Sequence, residues 1–351
     1  MQKLKSLFVA FIVMLVTVSY ASSMEFKNIV MLGDSLSDNG NFFDVSEKVY
    51  PPAPYDQGRF SDGKVWFEYL AEEIGVSGMA LNYAHGGATT GDTNVSDTPL
   101  HGDFPGFADE VEAYLAVAAA SQKYKGAFAM PEDTLFVIWI GANDLWSVTP
   151  ATATEQITKS MSNIQNGLAN LIQAGASKFL VINLPDLGKS PKFNKNEATA
   201  TAGTQIALVF NQALEQLLSG IESSYTNITI QRFDSFTLLS EIISNSSAFG
   251  FTNVVDRKLN VADGSVSEGI YLFWDDVHPT TFAHKIIAKE VAEIINCENC
   301  KVSTMPSVSN DFTITIPSAK FGDQTVEFIL KPNATETGYF WTLDMESITV
   351  K

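Results

Sequence analysis

The sequence predicts an α/β protein with a parallel sheet covered by helices on both faces. Three observations carry this. Apolar runs suited to buried strands recur at 28–32, 134–140, 178–184 and 226–233. Helical patterns at about 64–74, 153–174 and 203–219 lie between them, and such alternation builds a parallel sheet by crossover connections. Two runs end in a glycine followed by polar side chains, Gly33-Asp34-Ser35 and Gly141-Ala142-Asn143-Asp144. In an open α/β sheet the carboxyl edge of the strands is where ligands bind.

The first strand, Asn28 to Leu32, is stopped by Gly33, and Asp34 and Ser35 both suit the start of a helix. Ser35 then sits where backbone N–H groups converge and favour negative charge. A helix-capping serine is the plain alternative for this fragment alone. A loop rich in aromatics follows, with Phe42, Phe43 and Tyr50 as candidates for a substrate wall or for core packing. The prolines Pro51, Pro52 and Pro54 keep it irregular. Trp66, Phe67, Leu70 and Ile74 share the core face of the next helix. The stretch 81–91 contains His85-Gly86-Gly87, where paired glycines permit close backbone approach and an N–H aimed at a bound oxygen.

The clearest buried strand, Thr134 to Ile140, leads to Asn143, whose amide can donate to a substrate oxygen. The helix after it carries Ile157, Met161, Ile164, Leu168 and Leu171 at three- and four-residue spacings and ends at Gly175. Asp186 to Ala202 has little apolar pattern and is expected as a loop near the site, with a lid as one reading. Near the end, Asp275-Asp276-Val277-His278-Pro279 precedes a helix with Pro279 at its first turn. The spacing of Asp275 and His278 lets a carboxylate hold one ring nitrogen while the other faces outward. Of four histidines, His284 lies within the helix, His101 lacks an acid at this spacing, and His85 stands beside the glycines as a pocket residue. Asp276 is the weaker orienter, since adjacent side chains point apart.

Residues 1–21 read as a cleaved secretory signal: Lys3 and Lys5, an apolar stretch from Leu7 to Val18, then Ser19-Tyr20-Ala21. The stretch is short for a membrane span. A secreted or periplasmic protein is expected. Losing Lys3 and Lys5 takes Lys and Arg from 22 to 20 against 40 acids, moving the net charge from −18 to −20. Such acidity excludes phosphate-led nucleic-acid binding, and it confines any transient membrane contact to apolar or local features. Cys297 and Cys300 form a Cys-x-x-Cys pair, which in an exported chain is expected to close into a small disulfide. The pair follows a helix late in the chain, which disfavours a thioredoxin-like role. The two Cys and four scattered His do not readily make a zinc site.

Taken in order, Gly33-Asp34-Ser35-Leu36-Ser37-Asp38-Asn39-Gly40-Asn41, Asn82-x-Ala84-x-Gly86-Gly87-Ala88, Gly141-Ala142-Asn143-Asp144 and Asp275-x-x-His278-Pro279 resemble the GDSL, or SGNH, hydrolase family over roughly residues 26–296. The resemblance implies a flavodoxin-like three-layer α/β/α fold. It implies Ser35 as nucleophile, His278 as general base and acid, and Asp275 as orienter. Its oxyanion donors would be the Ser35 and Gly87 backbone N–H groups and the Asn143 side chain. No metal or organic cofactor is implied. Secretion, the aromatic loop and the extended first block resemble the branch of bacterial phospholipases, lysophospholipases and lipid acyltransferases. Ester hydrolysis on a lipid is therefore expected, with acyl transfer to a sterol or other alcohol, carbohydrate acetyl-ester hydrolysis, and an inactive binding protein as alternatives. Phe42, Phe43, Tyr50, His85, Trp146 and Trp274 are candidate substrate contacts. The expected organisation is a signal at 1–21, a hydrolase domain at 22–300, and a β appendage at 301–351, where 312–316 and 325–330 alternate as strands do. The oligomeric state is not set by these features.

Overall fold

The computed structural model describes residues 26–96, 104–123, 130–146, 148–149, 151–260 and 264–296, and strand segments at 307–308, 314–321, 324–335 and 338–350. The expected signal, His101, Cys297 and Cys300 lie outside the described residues.

In chain order the elements are β1 (Asn28–Gly33), α1 (Asn41–Val45), α2 (Trp66–Glu73), β2 (Ala80–Asn82), α3 (Phe107–Lys123), β3 (Thr134–Trp139), α4 (Ala153–Gln173), β4 (Lys178–Ile182), α5 (Glu197–Ser224), β5 (Thr229–Phe233), α6 (Ser235–Ser244), β6 (Asn253–Arg257), β7 (Tyr271–Phe273) and α7 (Thr281–Asn296). The segments β8 (Ser307–Val308), β9 (Ile314–Phe321), β10 (Gln324–Thr335) and β11 (Gly338–Val350) form an antiparallel meander.

The main sheet has the order β2-β1-β3-β4-β5 with every pair parallel. This is the flavodoxin-like order that the resemblance implies, and its switch point falls between β1 and β3. Strand period explains the layers, because successive side chains point to opposite faces. Val30, Leu32, Phe136 and Ile138 pack with Phe107, Leu168 and Phe210 of α3, α4 and α5. Ile29, Met31, Leu135 and Val137 pack with Trp66, Ile242 and Val291 of α2, α6 and α7. The β1 and β3 strands are buried along their whole length, so they read as continuous apolar runs, as strands covered on both faces do.

Three features depart from the sequence expectation. Helix α5 begins at Glu197, six residues before the expected start, with the Asn196 side chain accepting the Thr199 N–H at 3.0 Å. Its first turns, Glu197 to Ala202, are rich in Ala and Thr and show no apolar stripe, so only the Asn cap marked them. The segment before it is pinned: Asp186 accepts the Gly188 N–H at 3.0 Å and the Thr204 hydroxyl at 2.6 Å, and the Lys192 N–H donates to the Asp276 carbonyl at 2.9 Å. Helices α1, α3 and α6, strand β2 and the parallel pair β6–β7 lie outside the elements that the sequence pattern predicts.

Asn183 locks the carboxyl edge of the sheet. Its carbonyl accepts the Trp139 indole N–H at 3.0 Å, its side-chain oxygen accepts the Ser235 N–H at 2.7 Å, and its amide donates to Asp234 at 2.8 Å. Side-chain bonds of this buried residue thus join β4 to the start of α6. Asn183→Ala leaves Asp234 and the Ser235 N–H short of partners and is expected to cost roughly 2–4 kcal/mol. Urea denaturation checks this, and an unchanged midpoint contradicts it.

Candidate active site

Four sequence blocks, far apart in the chain, meet at the switch point. Ser35 follows β1, the Gly86-Gly87 turn follows β2, Asn143 follows β3, and His278 precedes α7. The Ser35 hydroxyl is 2.8 Å from His278 Nε2, and His278 Nδ1 is 2.7 Å from Asp275 Oδ2. Asp275 Oδ1 accepts the backbone N–H groups of Val277 and His278 at 2.9 and 2.8 Å. The two sides of one carboxylate therefore hold both the backbone and the ring of His278. Burial pushes the Asp275 carboxyl up, but His278 and these hydrogen bonds outweigh it and hold the group below its usual range.

Tyr55 adds a contact that no local pattern signals. Its hydroxyl donates to Asp275 Oδ2 at 2.7 Å across 220 positions of sequence. Burial, then the nearby Asp275 charge, drives its own ionisation far upward, so it acts as a donor. The Phe60 ring lies 5.2 Å from the His278 ring. Asp276, the alternative orienter, instead pairs with Arg257 at 2.6 Å. His284 is buried in α7, and desolvation drops it to about 3.

The N–H groups of Ser35 and Gly87 have no backbone acceptor among the described residues. Gly87 has φ +78, and a Cβ there would sit 2.0 Å from the Ser96 hydroxyl oxygen, so both conformation and space call for glycine. Asn143 Nδ2 donates to the Ala88 carbonyl at 2.9 Å, and Asn143 Oδ1 accepts the Trp146 indole N–H at 2.6 Å. An indole nitrogen only donates, so Trp146 fixes which end of the Asn143 amide is oxygen. The second amide hydrogen of Asn143 is left over. Ser35, Gly87 and Asn143, which follow β1, β2 and β3, line one cavity.

Buried acids brace this arrangement from behind. Asp38 accepts the N–H groups of Gly40, Asn41, Phe42 and Gly86 at 2.7–3.0 Å, tying α1 to the glycine turn. Glu110 of α3 accepts the Gly33 N–H at 2.8 Å and the His85 N–H at 3.0 Å, tying β1 to the same turn. Burial raises Glu110 well above the usual carboxylate range. Glu110 sits on the apolar face of α3 with Phe107, Val111 and Tyr114, and an acid on that face was the signal available in the sequence. Burial also lifts Asp34 to about 7, against the Leu36 N–H that it accepts.

A cavity of about 490 Å³ opens at Ser35, Asn143 and His278. Of the candidate substrate contacts, Tyr50 and Trp146 line it. Four others do not, which corrects the expectation for them. Phe42 is fully buried, with Phe60 and Phe104 in a small separate core, because it lies on the inner side of α1. Phe43 packs against Gly58, whose missing side chain leaves room for the ring. His85 turns to Glu110, with Nδ1 at 3.4 Å, and burial lowers its affinity for a proton. Trp274 is buried edge-on to Tyr55, with ring centroids 6.1 Å apart. The sequence could not separate these because aromatic character reports burial, not which cavity a ring faces.

Fold and family together define the class of protein, a carboxylic ester hydrolase. The chain belongs to the GDSL-like lipase/acylhydrolase family, whose model matches residues 29–291. It is 28% identical to the thermolabile hemolysin of Vibrio parahaemolyticus, an alignment covering 78% of this chain and 64% of that protein. It is also 28% identical to the phosphatidylcholine-sterol acyltransferase of Aeromonas hydrophila, covering 78% of this chain and 91% of that one. An acetylesterase of Thermothelomyces thermophilus is 26% identical, with 78% and 89% covered. The chain thus spans less than two thirds of the hemolysin's length but most of the other two. Among the described residues no helix is long and apolar enough to cross a membrane.

Native Asp34 binds its proton more tightly than the same residue does in the unfolded chain. Its ionisation therefore weakens folding as pH rises from about 4 towards 7. Asp34→Asn removes this contribution. The loss of urea midpoint between pH 5 and pH 8 is expected to be smaller in the variant than in the parent, and equal losses would contradict the buried-acid assignment.

Proposed function

We propose that the protein is an exported serine esterase that hydrolyses acyl esters of lipids, of the phospholipase A or lysophospholipase type, through an acyl-enzyme on Ser35. The observation that carries this reading is the chain of short hydrogen bonds from Ser35 to His278 to Asp275 at the mouth of a largely apolar cavity.

His278 Nε2 takes the Ser35 proton as Oγ attacks the ester carbonyl carbon. Asp275 keeps Nδ1 protonated and the ring in line, and stabilises the imidazolium. The Ser35 and Gly87 N–H groups and the Asn143 amide receive the oxyanion, which they favour because they are already oriented. The carbon–oxygen bond to the alcohol then breaks as His278 returns the proton to the leaving oxygen. Water enters, loses a proton to His278, and attacks the acyl-enzyme. The acid leaves, and Ser35 recovers its proton from His278.

Lipid as substrate is supported by the apolar lining and by the names of relatives. One name pairs phosphatidylcholine with a sterol acceptor, whereas another names an acetyl ester. Export rests on the basic and apolar pattern of residues 1–21. With an acidic chain of net charge −18, contact with an anionic bilayer is transient and apolar in character.

Product analysis on lysophosphatidylcholine, with and without cholesterol, is the direct test. Free fatty acid without a sterol requirement is the expected result. Steryl ester as the main product would make the protein a transferase, and turnover of acetylated sugars alone would remove the lipid reading. Ser35→Ala is expected to lower kcat about ten-thousandfold or more. Asn143→Ala is expected to lower it about a hundred- to a thousandfold.

A further inference from the structure

The cavity does not end at the reacting serine. Its lining includes Ser35 after β1, Trp139 at the end of β3, Pro185 after β4 and Ser235 after β5. These strands are consecutive neighbours in the sheet. The cavity therefore runs across three inter-strand spacings of ~4.8 Å, about 14 Å. It lies on the face covered by α6 and α7. Leu238 and Ile242 line it from one helix, Ala283 and Ile287 from the other, and all four are buried. Each pair is four residues apart, so each helix presents two successive turns to the space.

The polar groups along this path are already engaged. The Trp139 indole N–H donates to the Asn183 carbonyl at 3.0 Å, and the Ser235 hydroxyl donates to the same oxygen at 2.6 Å. Water would find few partners there, and an apolar space of this kind favours an apolar occupant. An acetyl group held at Ser35 would fill only the mouth and leave the rest without contacts.

We propose that the space between the sheet edge and helices α6 and α7 is an acyl-chain channel, that it selects esters of acids near ten carbons over acetate, and that Ala283 and Ile242 set its length. The inference rests on Ser35 as the nucleophile and names the acyl half of the substrate. A zigzag alkyl chain advances ~1.25 Å per carbon for C–C bonds of ~1.5 Å, so about 14 Å holds roughly eleven carbons. Chains beyond that length project back into solvent or stop short of the reacting position.

The test is a series of p-nitrophenyl esters from acetate to palmitate, each below its aggregation concentration, with the full-length protein. Expected is a rise in kcat/KM of about three- to fourfold per methylene, from burial of each CH₂, levelling near ten carbons. Ala283→Leu adds three carbons to the channel and should move the maximum to shorter acids. The ratio of decanoate to butyrate kcat/KM should fall about tenfold or more. Ile242→Ala opens the same channel and should move the maximum to longer acids, a change in preference that general loss of fold does not produce. A flat series, a maximum at acetate, or two soluble variants that scale every ester equally would overturn the channel while leaving Ser35 as nucleophile. Absence of turnover with every ester would remove the esterase reading itself, and the channel with it.

Discussion

The geometry of the site hangs on one buried carboxylate. Asp275 is only 5% exposed, and both of its oxygens are spoken for. One oxygen closes a tight turn by accepting two backbone N–H groups, and the other takes the His278 ring and the Tyr55 hydroxyl. Burial raises the cost of its charge, and four donors offset that cost. The consequence is orientational. With the backbone and ring of His278 tied to one rigid group, Nε2 is left pointing at Ser35, and Phe60 closes one side of the ring. Tyr55 reaches in from the proline-rich loop, so that loop acts as support for the carboxylate as well as a wall of the cavity.

The same logic extends beneath Ser35. Asp38 and Glu110 are buried acids whose oxygens accept backbone N–H groups from the ends of β1 and from the glycine turn. Turns that leave N–H groups unpaired drift unless something holds their backs. Glu110 binds the N–H of Gly33, two residues before Ser35, and that of His85, two residues before Gly87. Ser35 and Gly87, whose N–H groups have no backbone acceptor among the described residues, both line the cavity. Asn143 lines the same cavity, with its amide fixed by Trp146. Pre-orientation of this kind is what makes hydrogen bonds effective at the moment charge develops.

Much of this was legible in the residues. Four of the five strands of the parallel sheet were implied by apolar runs alternating with helices, the three-residue β2 being too short to show a pattern, and the strand ends carrying Ser35 and Asn143 were marked by glycine followed by polar side chains. The Asp275–His278 pair was readable because three residues is a local distance. Other parts were not. The Ala- and Thr-rich start of α5 shows no apolar stripe, and only the Asn196 cap marks it. Phe42 and Tyr50 looked alike in the sequence, yet one fills a core and the other a cavity wall.

By itself the sequence determined the strands β1, β3, β4 and β5, the helices α2, α4 and α7 with most of α5, and the order in which the polar blocks reach the sheet edge. Those are matters of period, propensity and near-neighbour hydrogen bonding, all written within a few residues. Only the tertiary structure decided that Tyr55 serves Asp275 across 220 positions, that Glu110 braces two turns at once, and that residues of α6 and α7 line the cavity that opens at Ser35. An apolar side chain records that it avoids water. Whether it meets another side chain or an open channel depends on how far apart the packed layers come to rest.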